Sequence, residues 1–211
     1  MATGGASERA FEAVVLAAGA GRRFGGGKLT AAWDEGVLLE GALAAAYAAP
    51  VRSVTVVIGA HADAVAAAAR SFDPRTVVVH AADHAEGMAA SLRTGIASLP
   101  PDAAAAFVFL GDMPRVPTAV LGRMAEAVAA GAWAAAPVYR GRRGNPVLLG
   151  RRLFPDLLAL TGDAGARGVL QGLGARLALV ESPDDGVLFD VDTPGDLLTT
   201  TAHPREGGDP S

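Results

Sequence analysis

Cysteine is absent from this chain of 211 residues. Its absence excludes disulfides, thiolate metal sites and a cysteine nucleophile. Lysine is almost absent: of 18 basic residues Lys28 alone is lysine, and the rest are arginine. Aromatic residues make up only 5%, although 51% of the chain is hydrophobic. Alanine therefore carries much of the core, which favours helices packed closely on a sheet. Long apolar runs are missing as well. The richest, AVAAGAWAAAPV (127–138), is short and follows Arg123 and Glu126, well below the roughly 18–20 residues a membrane span needs. The first ten residues contain no apolar signal core. The formal net charge of −4 argues against a general nucleic-acid binder. The expectation is a cytoplasmic protein that engages neither membrane nor nucleic acid. His61, His80 and His84 show no metal-ligand spacing, and no Ser–His–Asp order stands out, so all three histidines read as structural or surface residues.

What is present is an alternation of short apolar runs and helical patterns. AVVLAA (13–18), SVTVVIGA (53–60), TVVVHA (76–81) and AAAFVFLG (104–111) read as buried strands. LLEGALAAAYAA (38–49), HADAVAAAARSF (61–72), GMAASLRTGIASL (87–99) and PTAVLGRMAEAVAAG (117–131) read as the helices between them. Continuous apolar strands alternating with helices imply a parallel sheet covered on both faces. The second half is less regular. WAAAPVYR and NPVLLG predict two strands joined through the basic loop GRRG, and ARLALVES and VLFDVD predict two more. TPGDLLTT predicts a final helix capped by Thr193, with Pro194 in its first position. One domain is expected over residues 10–200, followed by a disordered tail, 201–211.

The stretch LAAGAGRRFGGGK (16–28) follows the apolar run FEAVV (11–15). A Walker A loop needs glycine at 22 and Ser or Thr at 29, whereas this chain has Arg22 and Leu29. A dinucleotide fingerprint needs a third glycine at 24, where this chain has Phe24. What remains is a strand followed by glycines that can present backbone N–H groups to an anion, with Arg23 and Lys28 on the same loop. A compact ammonium suits phosphate oxygens in a way a planar guanidinium does not imitate. FVFLGDMP places Asp112 just past a buried strand, where ligands of open parallel sheets bind, and a carboxylate there suits Mg²⁺. FDVDTP offers Asp190 and Asp192, two apart and hence on one side of a predicted strand.

The pattern L-A-A-G-x-G-x-R-x-G-x-x-K resembles the signature loop of the small-molecule nucleotidyltransferases, and most closely that of the molybdenum cofactor cytidylyltransferases. Further segments match in order: EGMAASLRTGI (86–96), FLGDMP (109–114), GNPVLL (144–149), GDAGARGVL (162–170) and DVDTPGDL (190–197). The resemblance implies a three-layer α/β/α Rossmann-like nucleotidyltransferase fold with a mostly parallel mixed sheet. It implies transfer of a nucleoside monophosphate, CMP from CTP, to a phosphorylated acceptor such as molybdopterin, with Mg²⁺ as cofactor and a molybdoenzyme as a possible partner. Arg23, Lys28 and Asp112 would be catalytic. Leu16, Ala17, Ala18, Gly19, Gly21, Gly87 and Ser91 would join them in holding the nucleotide. Asp112 and Asp192 would hold the metal, and Asn145, Asp190 and Arg143 the acceptor. In the resembled family alanine at the position of Ala18 goes with cytosine, and glycine there with guanine. Two alternatives remain: a same-fold enzyme using another NTP or a sugar or alcohol phosphate, and a non-catalytic module that binds a nucleotide or cofactor.

Overall fold

A computed structural model describes residues 10–202 except 164. The chain folds as β1 (Phe11–Ala17), β2 (Ala32–Trp33), β3 (Gly36–Val37), α1 (Leu38–Ala48), β4 (Val54–Ile58), α2 (Ala62–Phe72), β5 (Val77–His80), α3 (Met88–Ala97) and β6 (Ala105–Leu110). It continues through α4 (Ala119–Ala129), β7 (Ala134–Tyr139), β8 (Arg142–Arg143), β9 (Val147–Gly150), α5 (Phe154–Leu158), α6 (Arg167–Gln171) and β10 (Leu177–Glu181). Of the expected tail, residues 201 and 202 end a 3-10 segment, Pro194–Ala202, and the remainder lies outside the described residues.

The main sheet runs β10-β7-β9-β6-β1-β4-β5, with β8 paired to β7. β1 pairs in parallel with both β4 and β6, and β4 with β5. β9 runs antiparallel between β6 and β7, so the sheet is mixed but mostly parallel. Strand side chains alternate between faces, and the two cores sort accordingly. Phe107 and Phe109 of β6 enter the core under α1, α2 and α4. Ala106 and Val108 enter the one under α3, α5 and α6. The small alanines let the helices sit close: Ala42, Ala46, Ala69, Ala89 and Ala90 are all fully buried.

This winding creates the site. From β1 the chain moves outward to β4 and β5, then returns to lay β6 on the opposite side of β1. Such a reversal leaves a crevice beyond the carboxyl ends of the two central strands. Gly111 N–H donates to Leu16 O at 2.9 Å and carries the pairing just past the strand ends. A Cβ on Gly111 would come within 3.1 Å of that same carbonyl oxygen.

The other end of the sheet is tied electrostatically. Glu12 is 1% exposed in an otherwise apolar strand. It accepts from Arg52 Nε at 2.8 Å and from Ser53 Oγ at 2.6 Å, while Arg52 also reaches Asp102 at 2.7 Å. Removing one partner of a buried pair strands the other charge, whereas replacing both by apolar groups need not destabilise. Arg52→Ala is therefore expected to lower the urea midpoint, and the double variant Arg52→Met, Glu12→Leu to recover most of the loss. An unchanged midpoint in the single variant would show that Ser53 alone satisfies Glu12.

Candidate active site at the carboxyl ends of β1 and β6

β1 ends at Ala17, and the backbone leaves the sheet through Ala18 and Gly19. Gly25, Gly26 and Gly27 all have positive φ, at 94°, 96° and 63°, a region that side chains other than glycine seldom enter. Their turns bring the chain back so that Lys28 begins a short 3-10 turn, Lys28–Thr30. Gly26 N–H closes the loop on Gly21 O at 3.2 Å. The N–H groups of Gly19, Ala20 and Gly21 meet no protein acceptor among the described residues. Phe24, which breaks the dinucleotide fingerprint, packs its ring against the core.

Lys28 Nζ donates to Asp112 Oδ2 at 2.7 Å and lies 3.8 Å from Asp192 Oδ1. The Lys28 side chain is only 12% exposed. Arg23 reaches the other oxygen of Asp192 at 3.0 Å, in a pair open to solvent. Such an exposed pair adds little stability. Val191 N–H donates to Asp112 O at 3.0 Å and stitches the two acidic segments together. Asp196 Oδ2 accepts from the backbone N–H of Asp192 and Thr193 and from the Thr193 hydroxyl. The Thr193 hydrogen bonds and the Asp192 N–H hold the Asp196 carboxyl below its ordinary pKa. Asp190 is pushed the other way, first by partial desolvation and then by the neighbouring charges of Asp112 and Asp192.

The segment carrying these acids differs from its sequence reading. VLFDVD (187–192) forms no strand: its first two residues end a 3-10 turn, Asp185–Leu188, and the rest is irregular chain. Asp184 caps the turn by accepting from Gly186 N–H at 2.8 Å. Gly186 sits so close that a Cβ would meet Arg115 O at 2.0 Å. The apolar pattern comes from packing rather than from a ladder, with the Phe189 ring tilted on Trp33 and under Arg115. Asp190 and Asp192 therefore come to the site by loop contacts, not as alternate residues of a strand. TPGDLL forms a 3-10 segment in which Asp196, rather than Thr193, takes the exposed N–H groups.

A cavity of about 340 Å³ opens beside this cluster. Its wall includes Leu16, Ala17, Ala18, Gly19, Gly21, Lys28, Gly87, Ser91 and Asp112, so the residues expected to hold a nucleotide come together. Arg23 lines a separate opening with Gly21, Arg22, Lys28 and Asp192. A second cavity, about 600 Å³, adjoins the first across Leu16, Met88, Leu110 and Asp163. Its floor is apolar, formed by Leu92, Val108, Val147 and Leu170, and Arg143, Asn145 and Arg167 stand among its lining residues. The expected acceptor trio divides here. Arg143 and Asn145 face the second cavity, whereas Asp190 lines neither cavity and joins the acidic cluster. The basic loop divides too: adjacent residues of β8 point to opposite faces, so Arg142 lines a third hollow with Arg140, Tyr139 and Phe189.

Several residues on these walls escaped the sequence reading, Arg167 of the second cavity among them. His84 lines the first cavity. Asp163 and Met88 form the partition between the two, with Gly162 O accepting from Ala89 N–H at 3.0 Å. The GDAGARG motif was visible, but its place over the start of α3 depends on long-range folding. Among the described residues no three His, Asp or Glu side chains form a metal cage. Mg²⁺ needs no such cage, since it takes one or two carboxylates plus substrate phosphates and water.

Comparison with known proteins agrees with this geometry. The model of the MobA-like NTP transferase domain matches residues 13–180. The nicotine blue oxidoreductase of Paenarthrobacter nicotinovorans is 33% identical over 193 residues, covering 85% of this chain and 91% of that protein. The crystal structure of Rv0371c from Mycobacterium tuberculosis H37Rv is 29% identical, with a TM-score of 0.80, over 92% of this chain and 98% of that one. A structure of Rv0371c complexed with manganese is 26% identical with a TM-score of 0.67, over 82% and 88% of the two chains. With a mostly parallel mixed sheet, a glycine-rich loop after β1 and a lysine–aspartate cluster at the strand ends, the chain belongs to the MobA-like NTP transferase family.

Proposed function

We propose that this protein transfers CMP from CTP to a phosphorylated small molecule, molybdopterin or the molybdenum cofactor, and releases pyrophosphate. The observation that carries the reading is the Lys28 ammonium set between Asp112 and Asp192 at the β1–β6 switch point. Lys28 and Arg23 supply positive charge for a triphosphate on the loop, and the unpaired N–H groups of Gly19 to Gly21 add donors. The first cavity, which begins at the loop and at Lys28, takes the nucleoside. The second, with an apolar floor and two arginines, suits a planar heterocycle bearing its own phosphate.

The donor chemistry also fits a divalent cation. A cation already bridges two carboxylates here, and the available ligands are hard oxygens. Asp112 and Asp192 would hold Mg²⁺, which when bound would neutralise charge on the phosphate oxygens. The manganese complex of Rv0371c supports a divalent metal in this family.

An acceptor phosphate oxygen attacks the α-phosphorus, and the bond from the α-phosphorus to the bridging oxygen breaks. The electron pair leaves with pyrophosphate. An acceptor that is already ionised needs no strong base, so the protein works by positioning and charge stabilisation. Arg143 and Asn145 would hold the acceptor, and Lys28 meets the charge that grows on the leaving group. Cytosine is chosen over guanine on Ala18, by resemblance.

The test is a screen of four NTPs against molybdopterin and common phosphorylated acceptors, reading pyrophosphate. Release is expected with CTP and molybdopterin together, and with neither alone. A strong preference for GTP would overturn the base, and release with a sugar or alcohol phosphate only would overturn the acceptor. Because one relative is named an oxidoreductase, NADH and NADPH belong in the same plate. Phe24 in place of the third glycine argues against dinucleotide use.

A further inference from the structure

We infer that His84 reads the exocyclic amine of the nucleobase by accepting its hydrogen bond at Nε2. The inference rests on the nucleotide occupying the first cavity. His84 opens a 3-10 turn, His84–Glu86, just before α3, and among the described residues it is the only histidine on that cavity's lining. Its Nδ1 lies 2.9 Å from Ala81 O. A carbonyl oxygen can only accept, so Nδ1 carries a proton, and the tautomer that holds this single proton presents a lone pair at Nε2. Nε2 meets no protein partner among the described residues. No buried side-chain nitrogen or oxygen among them is left unpaired, so this atom is open rather than sealed in the core.

The ring is also held in place. It lies over Gly59, where a Cβ would come within 2.6 Å of its Cγ and 2.8 Å of the Ala18 methyl. The turn that carries it is clamped by Arg93 from α3. Arg93 donates to Asp83 at 2.6 Å and to Glu86 at 3.3 Å, on either side of His84. Its other nitrogen donates to Leu160 O at 2.7 Å, just ahead of the segment that carries Asp163. One guanidinium thus ties the turn that carries His84 to Leu160, three residues ahead of Asp163. Cytosine carries an amine at the ring position where uracil carries a carbonyl. The amine donates to a lone pair, and the carbonyl is repelled by one. Discrimination of this kind comes from a polar group of the site being left unpaired by the wrong ligand.

Calorimetric binding of CTP and UTP to the native chain and to His84→Phe tests this, with inorganic triphosphate as a probe of the loop alone. The native chain is expected to prefer CTP by about tenfold or more. His84→Phe should bring that ratio close to one by weakening CTP, while triphosphate affinity stays as in the native chain. A ratio near one in the native chain, or an unchanged ratio in the variant, overturns the assignment. Imidazole nitrogen NMR on the unmodified protein gives a readout that needs no variant. The proton should sit on Nδ1 of His84 in the free protein, and CTP but not UTP should shift Nε2. A proton on Nε2, or equal responses to both nucleotides, also overturns it. The transferase reading falls on a different result, the absence of pyrophosphate release, which leaves these binding ratios standing.

Discussion

Replacing Lys28 with alanine is expected to lower nucleotidyl transfer by about two to three orders of magnitude, the usual cost of losing a preorganised charge at a reacting centre. The fold should survive. Lys28 lies on a loop beyond the sheet, and the carboxylates it leaves behind are 26% and 48% exposed, so water can solvate both. Circular dichroism and the urea midpoint should change little while turnover collapses. Lys28→Arg should not restore activity. The ammonium is a compact charge in a nearly closed pocket, 12% exposed, with one close carboxylate and one more distant. A planar guanidinium is larger and donates in a fixed fork. Near-normal turnover in either variant would remove Lys28 from the chemistry.

Asp112→Ala carries the second large expectation, a loss of similar size. Asp112 does three things at one place. It fixes Lys28 at 2.7 Å, its carbonyl anchors Val191, and under the proposed function its carboxylate would hold the divalent cation. The carbonyl contact survives substitution, so the Asp190–Asp192 segment should stay docked. The defect should therefore fall on kcat, and raised metal concentration should recover little of it. Asp192→Ala should be milder and should respond to added metal, because Asp192 is 48% exposed and only 3.8 Å contact links it to Lys28. Equal kinetics for the two variants would contradict this division of labour.

The parts legible in the sequence share a physical cause. β1, β4 and β6 are buried on both faces, so they appear as continuous apolar runs; Asp112 lies just past β6, and Lys28 ends the glycine-rich loop that leaves β1. Helix boundaries were also accessible: α2, read as 61–72, spans Ala62–Phe72. Elsewhere the signal was ambiguous. VLFDVD has the apolar content of a strand, but its side chains are consumed by Trp33 and Arg115. Arg142 and Arg143 look equivalent as neighbours until a two-residue strand turns them apart. Asp190 is an acceptor ligand by resemblance, and the structure places it outside both cavities, near the charges of Asp112 and Asp192. His84 had no readable spacing at all. Its place depends on the carbonyl of Ala81 and on a clamp from Arg93, neither of which the local sequence announces.

The family is that of MobA-like NTP transferases, while one relative carries an oxidoreductase name. The central claim is that the bond broken is the one at the α-phosphorus. Two samples of CTP, one labelled at the α-phosphorus and one at the γ-phosphorus, distinguish the outcomes in a single chromatographic run with molybdopterin and Mg²⁺. The α-label is expected to move onto the acceptor and the γ-label to leave in pyrophosphate. Movement of the γ-label to the acceptor, or no transfer of either label, would contradict the account.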